Sequence, residues 1–230
     1  MIISIVARKG GSGKTTTAAN LAAWLAGAGY VTVGIDLDPQ GNLAAAFGID
    51  PAGCGAAGWL NGAGLGSCLV SSRRDRLSLV PADQGIIAAE IGAIASYSPL
   101  LAASERLRAD VALIGADFVI IDSPTRGALQ DLAILAADLV ILPAPCDFLG
   151  VNAAYESGEV VRGAFLHQSH GAGGVGVAYA ASAHAVGAGL VLAHGGRSRS
   201  PALAWWRRGA GPGGGAARCG SLRSGRLLGA

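Results

Sequence analysis

The sequence predicts an α/β fold, a parallel sheet covered by helices on both faces, with an atypical or incomplete C-terminal part. Three observations carry that prediction. Short, largely apolar runs recur through about residue 160, stretches of helix-forming composition separate them, and aspartate or proline closes several of the runs. The 230 residues suffice for one such domain or two small ones and for a proper hydrophobic core.

The elements follow in order. Ile2–Ala7 reads as the first strand, and the glycine-rich loop Arg8–Thr15 leads from it into a helix over Thr16–Ala26. Val31–Ile35 is a second strand ending at Asp36. Leu77–Val80 is a third, after the charged turn Arg73–Arg76. Phe118–Ile121 is a fourth ending at Asp122, and Leu139–Leu142 a fifth ending at Pro143. Helices are expected over Gln84–Ala95, Leu100–Ala109, Leu129–Ala137 and Val151–Val161. Gly53–Gly66 is expected to be loop, with a short helix around Trp59 and Leu60. Alternation of this kind gathers functional residues at the carboxyl ends of the strands.

Composition narrows the function classes. An apolar fraction of 51% excludes a disordered chain, although 46 alanines and 37 glycines leave the core to a modest set of Ile, Leu and Val. The four cysteines, Cys54, Cys68, Cys146 and Cys219, lack the C-x-x-C spacing of a zinc site and the density of a secreted disulfide scaffold, so reduced thiols are expected. The start lacks the order of a signal peptide. The apolar stretch Val175–Ala193 is broken by Ser182, His184 and glycines, so no membrane span is expected. The four histidines all lie at or after His167 and show no ligand spacing.

The chemistry concentrates in the first loop. Lys9-Gly10-Gly11-Ser12-Gly13-Lys14-Thr15 nearly matches the pattern G-x-x-x-x-G-K-[ST], with Arg8 in its first position. Glycines let successive amides turn inward around phosphate oxygens, and the helix that follows directs its positive end to the same point. Lys14 would then hold the β- and γ-phosphates and Thr15 would offer its hydroxyl to Mg²⁺. The chain has 15 arginines and only two lysines, and both lysines stand in this loop.

The K-G-G-x-G-K-T arrangement resembles the deviant Walker-A loop of the ParA/MinD family of dimeric ATPases, with Lys9 as the discriminating residue. Gly34–Asn42, with Asp36, Asp38, Pro39 and Gln40, is similar to that family's switch I in the form of its ParA-type (Soj-like) partition ATPases. Leu77–Ala82 resembles its third-strand segment, Phe118–Pro124 its Walker-B and switch II region, and Ala136–Pro143 the strand that follows. The resemblance covers about residues 1–160. It implies a P-loop NTPase sheet and an ATPase domain over residues 1–162. It implies ATP and Mg²⁺ as cofactors, with Gly10, Gly11, Ser12, Gly13, Lys14, Thr15 and Thr16 around the nucleotide, and Thr15, Asp36 and Asp122 near the metal. Lys9 would reach the nucleotide of a second copy, as an arginine finger does, and Asp38 would position the attacking water. The implied function is positioning of plasmid or chromosomal DNA by a homodimer formed with ATP. A cargo-bound ParB-like partner, non-specific DNA and a cytoplasmic, nucleoid-associated location come with it. A MinD-like membrane-positioning ATPase is the first rival; it should end in a basic amphipathic helix, for which residues 218–230 hold too many glycines. A metabolic or metallocluster P-loop enzyme is the second, for which the sequence shows neither cluster cysteines nor substrate residues. Aspartates at strand ends also cap the next helix, so capping stands as the alternative role for these carboxylates; Asp147 and Asn152, after the fifth strand, are expected to cap a helix, with a partner surface as their alternative. Arg126, in the switch II segment, either senses nucleotide or faces solvent.

Residues 163–230 read differently. All 15 acidic residues lie at or before Glu159, so the net charge is −6 over residues 1–160 and +8 beyond them. Val175–Ala180 is a weak strand and Gly189–Ala193 a weak apolar stretch; the rest is rich in Gly, Ala, Arg and Ser. Two readings stand. The segment is frameshifted sequence, which would make the chain an inactive remnant, or it is an Arg-rich tail that binds nucleic acid, with Trp205-Trp206-Arg207-Arg208 as one such cluster.

Overall fold

The computed structural model describes residues 1–50, 53–83, 85–93, 97–145, 156–161, 176–182 and 190–193. The order of elements is β1 (Ile2–Ile5), α1 (Lys14–Gly27), β2 (Thr32–Asp36), α2 (Asn42–Ala46), α3 (Gly55–Leu60), a 3₁₀ turn (Leu65–Cys68), β3 (Val70–Ser71) and β4 (Leu77–Val80). Then come α4 (Ile86–Ala93), α5 (Tyr97–Leu113), β5 (Phe118–Asp122), α6 (Ala128–Ala136), β6 (Leu139–Pro145), helical residues 156–161, β7 (Gly176–Ser182) and β8 (Leu190–Ala193).

The strands form one sheet in the order β3-β4-β2-β5-β1-β6-β7-β8. Only its two edges are antiparallel, β3 against β4 and β8 against β7. Five apolar runs expected to be strands are β1, β2, β4, β5 and β6. The two weak segments of the tail are β7 and β8, so the sheet continues past residue 162, with β7 parallel to β6 over Leu139–Pro145. Asp147, Asn152, Cys146, Cys219, the histidines and the Trp205–Arg208 cluster lie outside the described residues, as do most of the tail and residues 151–155 of the helix expected at Val151–Val161.

Side chains alternate across the sheet as double winding requires. Ile2, Val33, Ile35, Val80, Val119 and Ile121 pack on the face covered by α3 to α6. Ile3, Ile5, Leu77, Leu79 and Ile120 pack on the other face, beneath α1. That second layer is thin. Helix α1 buries Ala18, Ala22, Leu25 and Ala26, and small side chains let it lie close to the strands, which is how an alanine-rich chain still builds a core.

Two short elements went unforeseen in the sequence: α2, five residues long, and β3, two residues at the sheet edge. Helix α5 also runs longer than the expected Leu100–Ala109. Trp59 anchors the segment before β3. Its ring is buried, its indole N–H donates to Asp110 at 2.7 Å, and the Arg106 guanidinium lies 4.9 Å from the ring centre while donating to the carbonyls of Trp59 and Ala63. One expectation is corrected here. Cys54 and Cys68 are joined in a disulfide rather than free, because the chain reverses around Trp59 and brings residues 14 apart to a Cα separation of 4.7 Å.

Candidate functional site

β1 lies inside the sheet, so the loop after Ile5 emerges at the carboxyl edge among the ends of β2, β5 and β6. Gly11 (φ 72°) and Gly13 (φ 88°) both take the left-handed conformation that a side chain disfavours. Gly13 is the N-cap of α1 and its carbonyl accepts from Thr17 N–H at 2.9 Å, yet no side chain caps the helix and its first turn holds no acidic residue. The first amides of α1 therefore face the loop unsatisfied, the arrangement that receives an anion.

Three polar side-chain atoms, on two residues, are buried near these amides without ordinary partners. The Ser12 hydroxyl has no hydrogen bond, and neither do the two carboxylate oxygens of Asp122, which is fully buried. Lys14 is 7% exposed. Burial pushes its ammonium below the usual lysine range, while the charges of Asp122 and Asp38 oppose that shift. Burial likewise pushes Asp122 up to about 6. The nearby Thr15 hydroxyl and Lys14 favour its ionised form, and Asp38 disfavours it.

Asp36 pairs in register with Asp122 on the neighbouring strand. It is as buried but well satisfied, accepting from the amides of Asp38 and Leu43, both at 3.0 Å. Burial, followed by the charge of Asp122, raises it to about 7 despite those two bonds. Asp36 thus caps the start of α2 and fixes the loop Leu37–Gly41, so the capping role weighed for strand-end aspartates is real at this position. Asp38, half-buried, accepts from Gln40 N–H at 3.0 Å through one oxygen. Lys9 is half-buried and makes no ion pair with any described residue. Gly10 and Thr16 are exposed.

Lys14, Thr15, Asp36, Asp38 and Asp122 thus converge at one end of the sheet. No group of three or more metal-ligating side chains gathers among the described residues. An unpartnered carboxylate beside a hydroxyl, next to a phosphate-receiving loop, suits Mg²⁺, which takes few protein ligands and completes its shell with phosphate and water.

The sequence hides the supports of this site. Ser123 donates to Ile5 C=O at 2.8 Å, and Gln130 donates to Pro124 C=O at 2.9 Å, which fixes the segment after Asp122. Glu90, from α4, accepts from Leu129 N–H at 3.1 Å and so caps α6, whose N-cap Gly127 has no side chain to do so. Asp131 on the same turn is raised by burial, Arg8 lowering it and Glu90 adding to the rise. Arg8 N–H donates to the Ser157 hydroxyl at 3.2 Å, joining the loop to helical residues 156–161. Arg126 is exposed. Except for Gln130 and Pro124, these partners lie far apart in the chain, and no local pattern signals them.

Residues 1–159 match the family described as AAA domain. The sporulation initiation inhibitor protein Soj of Bacillus subtilis is 31% identical over 175 residues, covering 74% of this chain and 66% of Soj. The chromosome partitioning protein ParA of Myxococcus xanthus is 36% identical over 151 residues, covering 64% of this chain and 53% of that protein. The chain therefore spans roughly half to two thirds of the length of these relatives. Among solved structures, cobyrinic acid a,c-diamide synthase from Mycobacterium smegmatis with bound ATP analog and magnesium aligns with a TM-score of 0.63 at 29% identity. That alignment covers 73% of this chain and 68% of the synthase.

Proposed function

Because this chain belongs to the ParA/MinD family of ATPases, we propose that it binds ATP with Mg²⁺ at the glycine loop, hydrolyses it as a homodimer, and positions DNA. One observation carries the reading: the buried, unpartnered carboxylate of Asp122 lies beside the Thr15 hydroxyl and the Lys14 ammonium, under a helix end with open amides. A site so charged and so poorly satisfied costs stability unless a ligand completes it.

In this proposal the amides of Gly10 to Thr16 and the Ser12 hydroxyl hold phosphate oxygens, and Lys14 binds the β- and γ-phosphates. Mg²⁺, held by Thr15 with Asp122 and Asp36 nearby, would neutralise charge on the phosphates. Asp38 keeps one carboxylate oxygen bonded to Gln40 N–H and presents the other to the attacking water. Lys9, with no ion pair among the described residues, supplies a cation to the nucleotide of the second copy, a contribution of about 10³ or more in rate where such fingers are known. ATP drives dimer formation only by binding the dimer more tightly than the monomer. A ParB-like partner on the cargo and non-specific DNA complete the cycle, and the location is cytoplasmic and nucleoid-associated. Among the described residues no helix is long and apolar enough to cross a membrane.

ATP turnover of the purified chain, with and without DNA, tests the reading. Turnover is expected in the parent and lost in Lys14→Ala. In Lys9→Ala it should fall by about 10³, with nucleotide binding retained. A parent without turnover, or turnover indifferent to Lys14→Ala, overturns the proposal.

A further inference from the structure

A cleft of about 450 Å³ runs down the outer side of α1, between that helix, the end of α2 at Ala46 and Phe47, and the turn Ser72–Arg74. Thr15 and Thr16 line it at the start of α1, and Arg73 and Arg74 line it from the turn. We propose that this cleft is a second anion site, adjoining the glycine loop at Thr15 and Thr16 but centred on Arg73 and Arg74, and that it takes a phosphate-bearing ligand.

The lining carries the argument. None of its ten residues is acidic, in a region whose net charge through residue 160 is −6. Arg73 and Arg74 make no side-chain hydrogen bond or ion pair with any described residue. Asp75, the one carboxylate on the turn, is exposed and does not line the cleft.

The turn that presents these arginines is fixed from within. The Ser72 hydroxyl accepts from Arg74 N–H at 3.0 Å and donates to Arg74 C=O at 3.2 Å. Arg76 takes φ 61°, and its carbonyl accepts from Thr32 N–H at 2.8 Å, which ties the turn to β2. The backbone of the turn is therefore already ordered, and binding would cost mainly the freedom of the two arginine side chains.

The donor count selects the ligand class. Each guanidinium carries five N–H donors, and the Thr16 hydroxyl and the free N–H of the Asn20 amide add to them, whereas a carboxylate offers roughly four acceptor positions. Guanidinium pairs of this kind match phosphate in geometry and charge. The volume exceeds what a bare phosphate fills and lies in the range of small-molecule sites, roughly 300–1,000 Å³. Phe47, Ala19 and Ala23 give an apolar wall for the organic part. Two sources offer this chemistry, a free phosphorylated compound and the backbone of a nucleic-acid strand.

Titration calorimetry on the full chain, saturated beforehand with Mg²⁺ and ADP, tests the site with inorganic phosphate, a short random DNA duplex and citrate. Phosphate is expected to bind saturably, and Arg73→Ala with Arg74→Ala should weaken it at least about tenfold while ADP affinity is unchanged. Both side chains are exposed, so the double variant is expected to fold. If the duplex also binds, loses affinity in the variant and shows a salt slope smaller by about 2, the backbone is the source. If the duplex does not bind, the source is a free phosphorylated compound. Absence of phosphate binding, binding untouched by the double substitution, or citrate binding equally well overturns the proposal.

Discussion

Strands β2 and β5 lie side by side and end on aspartates that pair in register, Asp36 and Asp122, both fully buried. Asp36 is hydrogen-bonded by two amides of the loop it begins, and Asp122 by none. Equal burial with unequal satisfaction separates their roles. The β2 end uses its carboxylate to shape the chain, whereas the β5 end keeps a charge in reserve, and such a reserve is worth its cost only if a cation or a donor arrives.

The comparison is broken most forcefully at β2. Asp36→Ala leaves the amides of Asp38 and Leu43 buried without acceptors, and unfolding free energy from urea titration should fall by about 3 kcal/mol. A fall no larger than that of Asp122→Ala would mean that the two carboxylates do not differ.

A second expectation concerns pH in the metal-free chain. Asp122 is raised from 3.8 to about 6 and Asp36 to about 7, so the folded state holds protons that the unfolded state releases. The stability these groups confer is complete below about pH 4 and is lost as pH rises through 6 to 7. Asp122→Asn should flatten that decline by an amount on the order of 2 kcal/mol, measured by melting across the range. An unchanged profile would contradict the burial argument.

The smallest effect is expected away from both strands. Glu90→Ala uncaps α6 and should cost about 1 kcal/mol, while Glu90→Gln, which keeps an acceptor for Leu129 N–H, should cost less. Equal losses in the two variants would show that charge, rather than the cap, matters there.

The expectation of a doubly wound sheet rested on local features, and those survive in three dimensions. Ile2–Ile5, Thr32–Asp36 and Phe118–Asp122 are apolar on both faces because both faces are covered, and the glycine loop announces itself through residues that tolerate left-handed backbone. The same locality explains what was hidden. Helix α2 is too short for a periodic signal, and its start depends on Asp36 seven residues before Leu43. Strand β3 is two residues long and exists only against β4. The bond between Cys54 and Cys68 needs the reversal around Trp59. That Asp36 and Asp122 would be so unequal could not be read from two aspartates that each end an apolar run, because the difference lies in amides delivered by the fold.

The most direct test of the account is a pair of melting curves for the parent chain and Asp122→Asn, each without ligand and with Mg²⁺ and ADP. The account expects the substitution to leave the ligand-free protein as stable as the parent or more so, and to remove most of the stabilisation that Mg²⁺ and ADP confer on the parent. A variant that is destabilised without ligand yet stabilised by Mg²⁺ and ADP as strongly as the parent would contradict it.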